Sequence, residues 1–319
     1  GAGNTIDCKN NQVYSSKGDI TLKNLVVVNG KSNVGGAIFI SGSATYNIIN
    51  CTFINNQASD YGGAVYNYGG TNSFINCTFI NNYGNRGGAV YDNGPVNTFI
   101  NSTFSNNRAS TGGAIYSYVS DNTKFANCTF ENNSATNAGA LYIYHSFVDS
   151  DNCTFKNNTA NQGAVSYTTG YRNVITNSKF IKNIAKEGAV IYDSNSNVAS
   201  ADKCIFINNT ATTALIFATY GYTLENSIVL NNSGTYVINS AIPQMFSADY
   251  NWFGNNMTNY DERPNVPANL AMGPWYVLDA NATNEYATIS LNNLYDGTNL
   301  FRGYSSYEPY ATPHLEPCP

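Results

Sequence analysis

Charge is scarce in this chain. Of 319 residues only 15 are Lys or Arg and 20 are Asp or Glu, and this share of charge is less than half that usual in a soluble domain. Scattered cations in that number build no basic stripe, which argues against nucleic acid as a partner. The two histidines, His145 and His314, lack the Ser or Cys context of a triad and are too few for a metal cluster. No apolar run reaches the ~18 residues of a transmembrane segment. No signal peptide is present, and a mature secreted protein would lack one too. Only Pro95 occurs in the first 242 residues, and the other eight prolines come later. No Gly-rich phosphate loop opens a helix, and no cofactor is expected. In place of charge stand 52 Asn, 25 Tyr and 27 Gly. With 42% hydrophobic and 13% aromatic residues the chain has ample core material, which excludes disorder.

Self-similarity organises the sequence. Asn50-Cys51-Thr52-Phe53-Ile54-Asn55-Asn56 returns from Asn76, Asn101, Asn127, Asn152, Asn177, Lys203 and Asn226, with a cruder copy from Asn24. Copies lie about 25 or 26 residues apart, shortening to roughly 23 at the last. A second motif rides in phase: Gly35-Gly36-Ala37-Ile38, then Gly62-Gly63-Ala64-Val65, Gly87-Gly88-Ala89-Val90 and Gly112-Gly113-Ala114-Ile115. It decays through Ala138-Gly139-Ala140-Leu141, Gly163-Ala164-Val165 and Gly188-Ala189-Val190. Helical repeats need longer units and helix formers, whereas Asn and Gly oppose helix and the short apolar alternations read as strands. The expected fold is all-β: a right-handed parallel β-helix, a solenoid of about nine to ten coils with a non-repetitive C-terminal cap and tail. In one coil, strands are expected over 72–75, 77–80 and 89–91, with turns at Asn76, Asn81–Gly88 and Asn93-Gly94. At ~4.8 Å per stacked strand the rod is about 40 Å long.

Each position of a coil then becomes a file along the rod. Phe53, Phe79, Phe104, Phe130, Phe155, Phe180 and Phe206 form a file expected in the core. Two residues earlier, Cys51, Cys77, Ser102, Cys128, Cys153, Ser178, Cys204 and Ser227 face inward as small side chains. Asn50, Asn76, Asn101, Asn127, Asn152 and Asn177 suit a left-handed turn, and their amides can bond from rung to rung. Ala37, Ala64, Ala89, Ala114, Ala140, Ala164 and Ala189 fill places where only a methyl fits.

The paired signatures Phe79-x-x-Asn82 and Gly-Gly-Ala-[Ile/Val] resemble the repeats of chlamydial polymorphic outer-membrane proteins. The Asn-Cys-Thr-Phe-x-Asn-Asn form, with Asp249-Tyr250-Asn251-Trp252-Phe253-Gly254-Asn255 and Gly273-Pro274-Trp275, is similar to adhesin-like surface proteins of methanogenic archaea. The resemblance spans roughly residues 10–280 and implies an extracellular or cell-surface protein of adhesive or envelope-structural role. It supplies no catalytic residue.

Candidate sites follow from the files. Tyr66, Tyr91, Tyr116 and Tyr142 sit beside the aliphatic Val65, Val90, Ile115 and Leu141, so if the aliphatics face in, the tyrosines face out as an aromatic stripe able to bind a glycan or a partner surface. Tyr167 and Tyr192 continue it one residue later. Reversing the phase makes the stripe core. Seven cysteines cannot all pair within one chain. In-register side chains of neighbouring rungs hold Cβ atoms too far apart for a good disulfide, so the file reads as free thiols. Cys8 and Cys318 lie near opposite ends and would link two molecules if oxidised. Sequons at Asn50, Asn76, Asn101, Asn127 and Asn152 belong to the amide ladder, where a glycan breaks the stack. Those at Asn132, Asn157, Asn208, Asn231, Asn256 and Asn281 are the better glycosylation candidates. For an enzyme, Asp151 and Asp202 share a file two rungs apart, roughly 9.6 Å by strand spacing, which glycoside hydrolysis admits. Neither flanking motif is elaborated, and no catalysis is expected.

The chain divides into repeats over 1–242, a C-terminal cap over 243–285 carrying Trp252 and Trp275, and a tail over 286–319. The tail holds a strand, Ala287–Leu291, suited to pairing with a neighbouring molecule. Gln12-Val13-Tyr14 matches Ala37-Ile38-Phe39, so the chain begins inside its first coil. The leading reading is a non-catalytic cell-surface rod whose partner is a surface glycan or protein. The alternatives are a fibre or sheath subunit whose partner is itself, and a polysaccharide-cleaving enzyme.

Overall fold

A computed structural model describes residues 4–253, apart from Val13, Lys17, Ala44 and 241–245, together with the strands Trp275–Ala282, Ala287–Tyr295 and Leu300–Phe301. One coil shows the plan. Thr71–Ile75 is followed by Thr78–Ile80 and then by Val90–Asn93, and each strand pairs in parallel with its equivalent one repeat away. Three ten-stranded parallel sheets result. The phenylalanine sheet runs from Asn4–Asp7 to Ile228–Leu230, the tyrosine sheet from Tyr14–Ser16 to Tyr236–Ser240, and the third sheet from Ile20–Lys23 to Phe246–Ser247. The molecule is a right-handed parallel β-helix of about nine turns, with no helix among the described residues.

Stacking in register puts like on like. Phe79 lies between Phe53 and Phe104 in the ladder, and the rings of this file stack at 4.6–5.4 Å between centroids. All seven are fully buried, each contributing roughly 2–3 kcal/mol of apolar transfer. A second file that the motif did not announce, Phe74, Phe99 and Phe125 on the third sheet, meets the first edge-to-face. The Cys/Ser file is buried as expected, and Cys8, Cys51, Cys77, Cys128, Cys153 and Cys204 are free thiols. Burial pushes the Cys77 thiol up to about 12.

The turns explain the asparagines. The corner before the phenylalanine sheet is left-handed in every described rung from Asn24 to Tyr250, and Asn holds it except at Lys203 and Tyr250. Left-handed backbone suits Asn because its short amide bonds locally. The long turn expected over 81–88 is itself laddered: Tyr83 and Arg86 bridge to Arg108 and Thr111 in the next rung, and the series continues to Ser233. Here Gly62 and Gly87 take positive φ, and a Cβ on Gly63 would strike the Gly88 carbonyl of the neighbouring rung.

Three boundaries differ from expectation. Stacking continues past residue 242: Phe246–Ser247 pairs with Tyr222–Glu225, and Trp252 bridges to Ile228. Tyr250-Asn251-Trp252-Phe253 is a further copy of the turn motif, with Tyr250 at φ 56° and Asn251 buried where Cys or Ser stands elsewhere. Trp252 is thus a rung residue rather than a plug. The tail strand Ala287–Tyr295 is the middle of an antiparallel sheet formed with Trp275–Ala282 and Leu300–Phe301 of its own chain, so the boundary at 285 divides a hairpin. At the first coil, Tyr14 pairs with Ile38 rather than Phe39, a slip of one residue from the sequence match.

Candidate functional site: the aromatic face

Period-two alternation on the tyrosine sheet sends Val65, Val90, Ile115 and Leu141 into the core, which turns Tyr66, Tyr91, Tyr116 and Tyr142 outward. They pair in register with one another and continue without a break into Tyr167, Tyr192 and Phe217, with Phe39 before them. The extra residue inferred before Tyr167 is absorbed in the turn, so the file stays aligned. Ring centroids lie 4.7–5.4 Å apart from Phe39 to Phe217. Mutual cover leaves Tyr91 and Tyr116 only 6% exposed although they point outward. Each inner ring has both faces against a neighbour, so what meets solvent is a row of ring edges and hydroxyls. Burial raises all these phenols above their ordinary value, with neighbouring tyrosines adding at each of them. The row is therefore a neutral donor and acceptor comb. Tyr61 packs onto Tyr66 and Tyr91, and the Arg86 guanidinium lies 5.6 Å from the Tyr61 ring and 5.9 Å from Tyr116.

Asp151 and Asp202 do align with Thr176 between them. Asp151 Oδ1 accepts from Thr176 Oγ1 and Asn177 Nδ2, both at 2.7 Å, and Asp202 Oδ1 accepts from Asn226 Nδ2 at 2.7 Å. Both carboxylates thus continue the amide ladder, Asp202 doing so where Lys203 brings no amide oxygen. A depression of about 400 Å³ lies at the first rungs, lined in part by Asp7, Lys9, Asn29 and Lys31, whereas Asp151 belongs to the sixth. Cys8 is buried, and burial raises its thiol. Cys318 and the side chains of Asn256 and Asn281 lie outside the described residues. Among the other sequons, Asn132, Asn208 and Asn231 are exposed and Asn157 is half-buried, all at left-handed turns.

Two features escaped the sequence reading. One is a second, buried asparagine file, Asn56 through Asn209, whose only signal was the repeated Asn-Asn pair. The other is a pair of buried carboxylates on the inner side of the tyrosine sheet. Asp92 accepts from Asn67, the Gly94 N–H, Ser120 and Thr123, and burial pushes it up to about 7. Asp193 accepts from the N–H groups of Asn195 and Ser196 and is raised to about 6, again by burial.

Stacked rungs, left-handed corners and inward files recur over the same residues that one family description matches. That description, right handed beta helix region, covers residues 2–160 and 89–258. The chain belongs to the right-handed β-helix family. No curated protein and no solved structure matches this β-helix. Membership carries the scaffold and leaves the activity to the side chains on it.

Proposed function

We propose that this β-helix is a non-catalytic extracellular rod that works at a cell surface in an adhesin-like or envelope-structural role, with the tyrosine sheet as its contact side. The observation that carries this reading is the unbroken outward aromatic file from Phe39 to Phe217 on a rigid stack. Low charge supports it, since contact then depends on shape and hydrogen bonding rather than on long-range attraction. Asp151 and Asp202 both serve as acceptors in the ladder, which supports a structural part for them. The resemblance to archaeal and chlamydial surface repeats points the same way.

The test is co-sedimentation of the purified chain with isolated cell envelopes and with insoluble polysaccharides, alongside an assay for released reducing ends. Retention without release is expected. Polysaccharide cleavage that Asp151→Asn abolishes would replace this reading with the enzymatic one.

A further inference from the structure

The corner between the tyrosine sheet and the third sheet carries side chains that its turn does not need. One residue after the tyrosine-sheet strands, at Ser41, Tyr68, Asn93 and Thr169 in register, stand Gly42, Gly69, Gly94 and Gly170. The two rungs between, ending at Tyr118 and Tyr144, place Val119 and His145 there instead. Both hold the left-handed conformation, φ 51° and 47°, that Gly42 and Gly69 adopt freely. A β-branched residue is the least suited to that region, and Val119 is exposed, so no inward packing compensates the strain. Strain kept at an exposed position is a mark of function.

Around these two residues lies a ridge of rings. Tyr118 stacks on Tyr144 at 5.2 Å, Tyr144 packs on His145 at 4.5 Å, and His145 meets Tyr171 edge-on at 5.6 Å. Phe147 stacks on Tyr171 at 5.2 Å, and both are more than two-fifths exposed. On its other side Phe147 faces the rung of Asn122, which carries no ring at that place. Phe147 thus has a stacked ring on one face only, unlike the rings inside the tyrosine file. Alongside, on the outer side of the third sheet, Arg172 Nε donates to Asp149 Oδ1 at 2.7 Å, with Lys124 beside Asp149 in register. Asp121, Lys124, Asp149 and Arg172 sum to no net charge.

We propose that this ridge is a binding site for a neutral polysaccharide, with Phe147 and Tyr171 as the stacking platform and Asp149 with Arg172 as the hydrogen-bonding fork. The inference rests on the reading of the chain as a surface-recognition rod and moves the principal contact one corner away from the tyrosine file. Sugar hydroxyls both donate and accept, which suits a carboxylate acceptor beside a guanidinium donor. Balanced charge gives a polyanion nothing to prefer. A flat apolar face flanked by a few oriented polar groups is the usual make-up of a ligand site.

Affinity electrophoresis of the whole chain tests it, in gels carrying a soluble glucan, mannan, galactan or xylan, with polygalacturonate as the anionic comparison. Retardation by at least one neutral polymer is expected, weakened about tenfold by Phe147→Ala or Tyr171→Ala. These rings are exposed, so thermal melts of the variants should match the parent. His145→Gly should raise the melting midpoint while weakening retention, the pairing expected if strain is kept for binding. The proposal is overturned if no neutral polymer retards the chain, if only polygalacturonate does, or if the double variant Phe147→Ala/Tyr171→Ala is retarded like the parent. In that last case, loss of envelope binding on Tyr66→Ser/Tyr142→Ser would leave the recognition reading standing with the contact on the tyrosine file. Failure of envelopes as well as polysaccharides to hold the chain would overturn both.

Discussion

Two files of asparagine run side by side along the rod, and they use the same amide bond to different ends. In the outer file Asn76 Nδ2 donates to Asn50 Oδ1, Asn101 to Asn76 and Asn127 to Asn101, at 3.1–3.2 Å, always toward the earlier rung and always exposed. In the inner file Asn107 Nδ2 donates to Asn133 Oδ1, and Asn133 to Asn158, at 3.0–3.1 Å, toward the later rung and fully buried. From Asn82 to Asn209 each inner amide also caps a phenylalanine carbonyl, as Asn133 does for Phe104, while its oxygen accepts the backbone N–H of the preceding inner asparagine. Asn56 caps Val27 and accepts from Gly30 instead. Outer asparagines are held by backbone conformation, since each sits at positive φ. Inner ones are held by hydrogen bonding, because a buried donor or acceptor without a partner is expensive.

The largest expected effect comes from breaking the inner file. Asn133→Ala leaves two donors of Asn107 without their acceptor and takes the second donor from the Phe104 carbonyl, a loss of about 4 kcal/mol by the usual penalty for unsatisfied buried groups. Urea or thermal unfolding of parent and variant measures it. Next comes Asp92, the one ionisable member of the buried polar cluster around Asn67, Asn97, Ser120 and Thr123. Its folded value is raised to about 7 from 3.8, so the stabilisation it gives is complete below about pH 4 and is lost as pH rises through about 7. The difference is on the order of 4 kcal/mol. Asp92→Asn should flatten that slope and leave the protein more stable than the parent at pH 8. Asp193, raised to about 6, keeps its own share of the slope below that pH, so a slope undiminished between pH 6 and 8 would show that Asp92 is not the titrating group. The smallest effect belongs to the outer file: Asn101→Ala should cost about 1 kcal/mol, mostly backbone strain, and Asn101→Gly less than about 0.5 kcal/mol. Equal losses for Asn101→Ala and Asn133→Ala would erase the distinction between the files.

The repeat made much of this legible. The phenylalanine file, the inward Cys/Ser file, the outer amide ladder and the tyrosine file all follow from residues one period apart, because parallel in-register pairing copies each position onto itself. Which side the tyrosines face was left open by the repeat and is decided by the burial of the aliphatics beside them. The inner amide ladder was hidden because Asn55-Asn56 reads as a single turn, although Asn55 supplies the left-handed bend and Asn56 the buried bond. The last rung was hidden because Tyr250 and Asn251 replace the residues that mark the motif. Val119, His145, Phe147 and Tyr171 lie where turn length and residue type change from rung to rung, so no periodic alignment brings them together. Only the hydrogen-bonded register does.

The stacked rod requires residues one repeat apart to lie one strand spacing apart. Spin labels on outward positions of the phenylalanine sheet measure that directly, since the described native thiols are buried. From Thr52 to Thr154 is four rungs and to Ile205 six. Electron–electron distances in Thr52→Cys/Thr154→Cys and Thr52→Cys/Ile205→Cys should centre near ~19 Å and ~29 Å, a difference of about 10 Å. Equal distances in the two pairs, or an increment far from two strand spacings, would contradict the stacked rod and every file built on it.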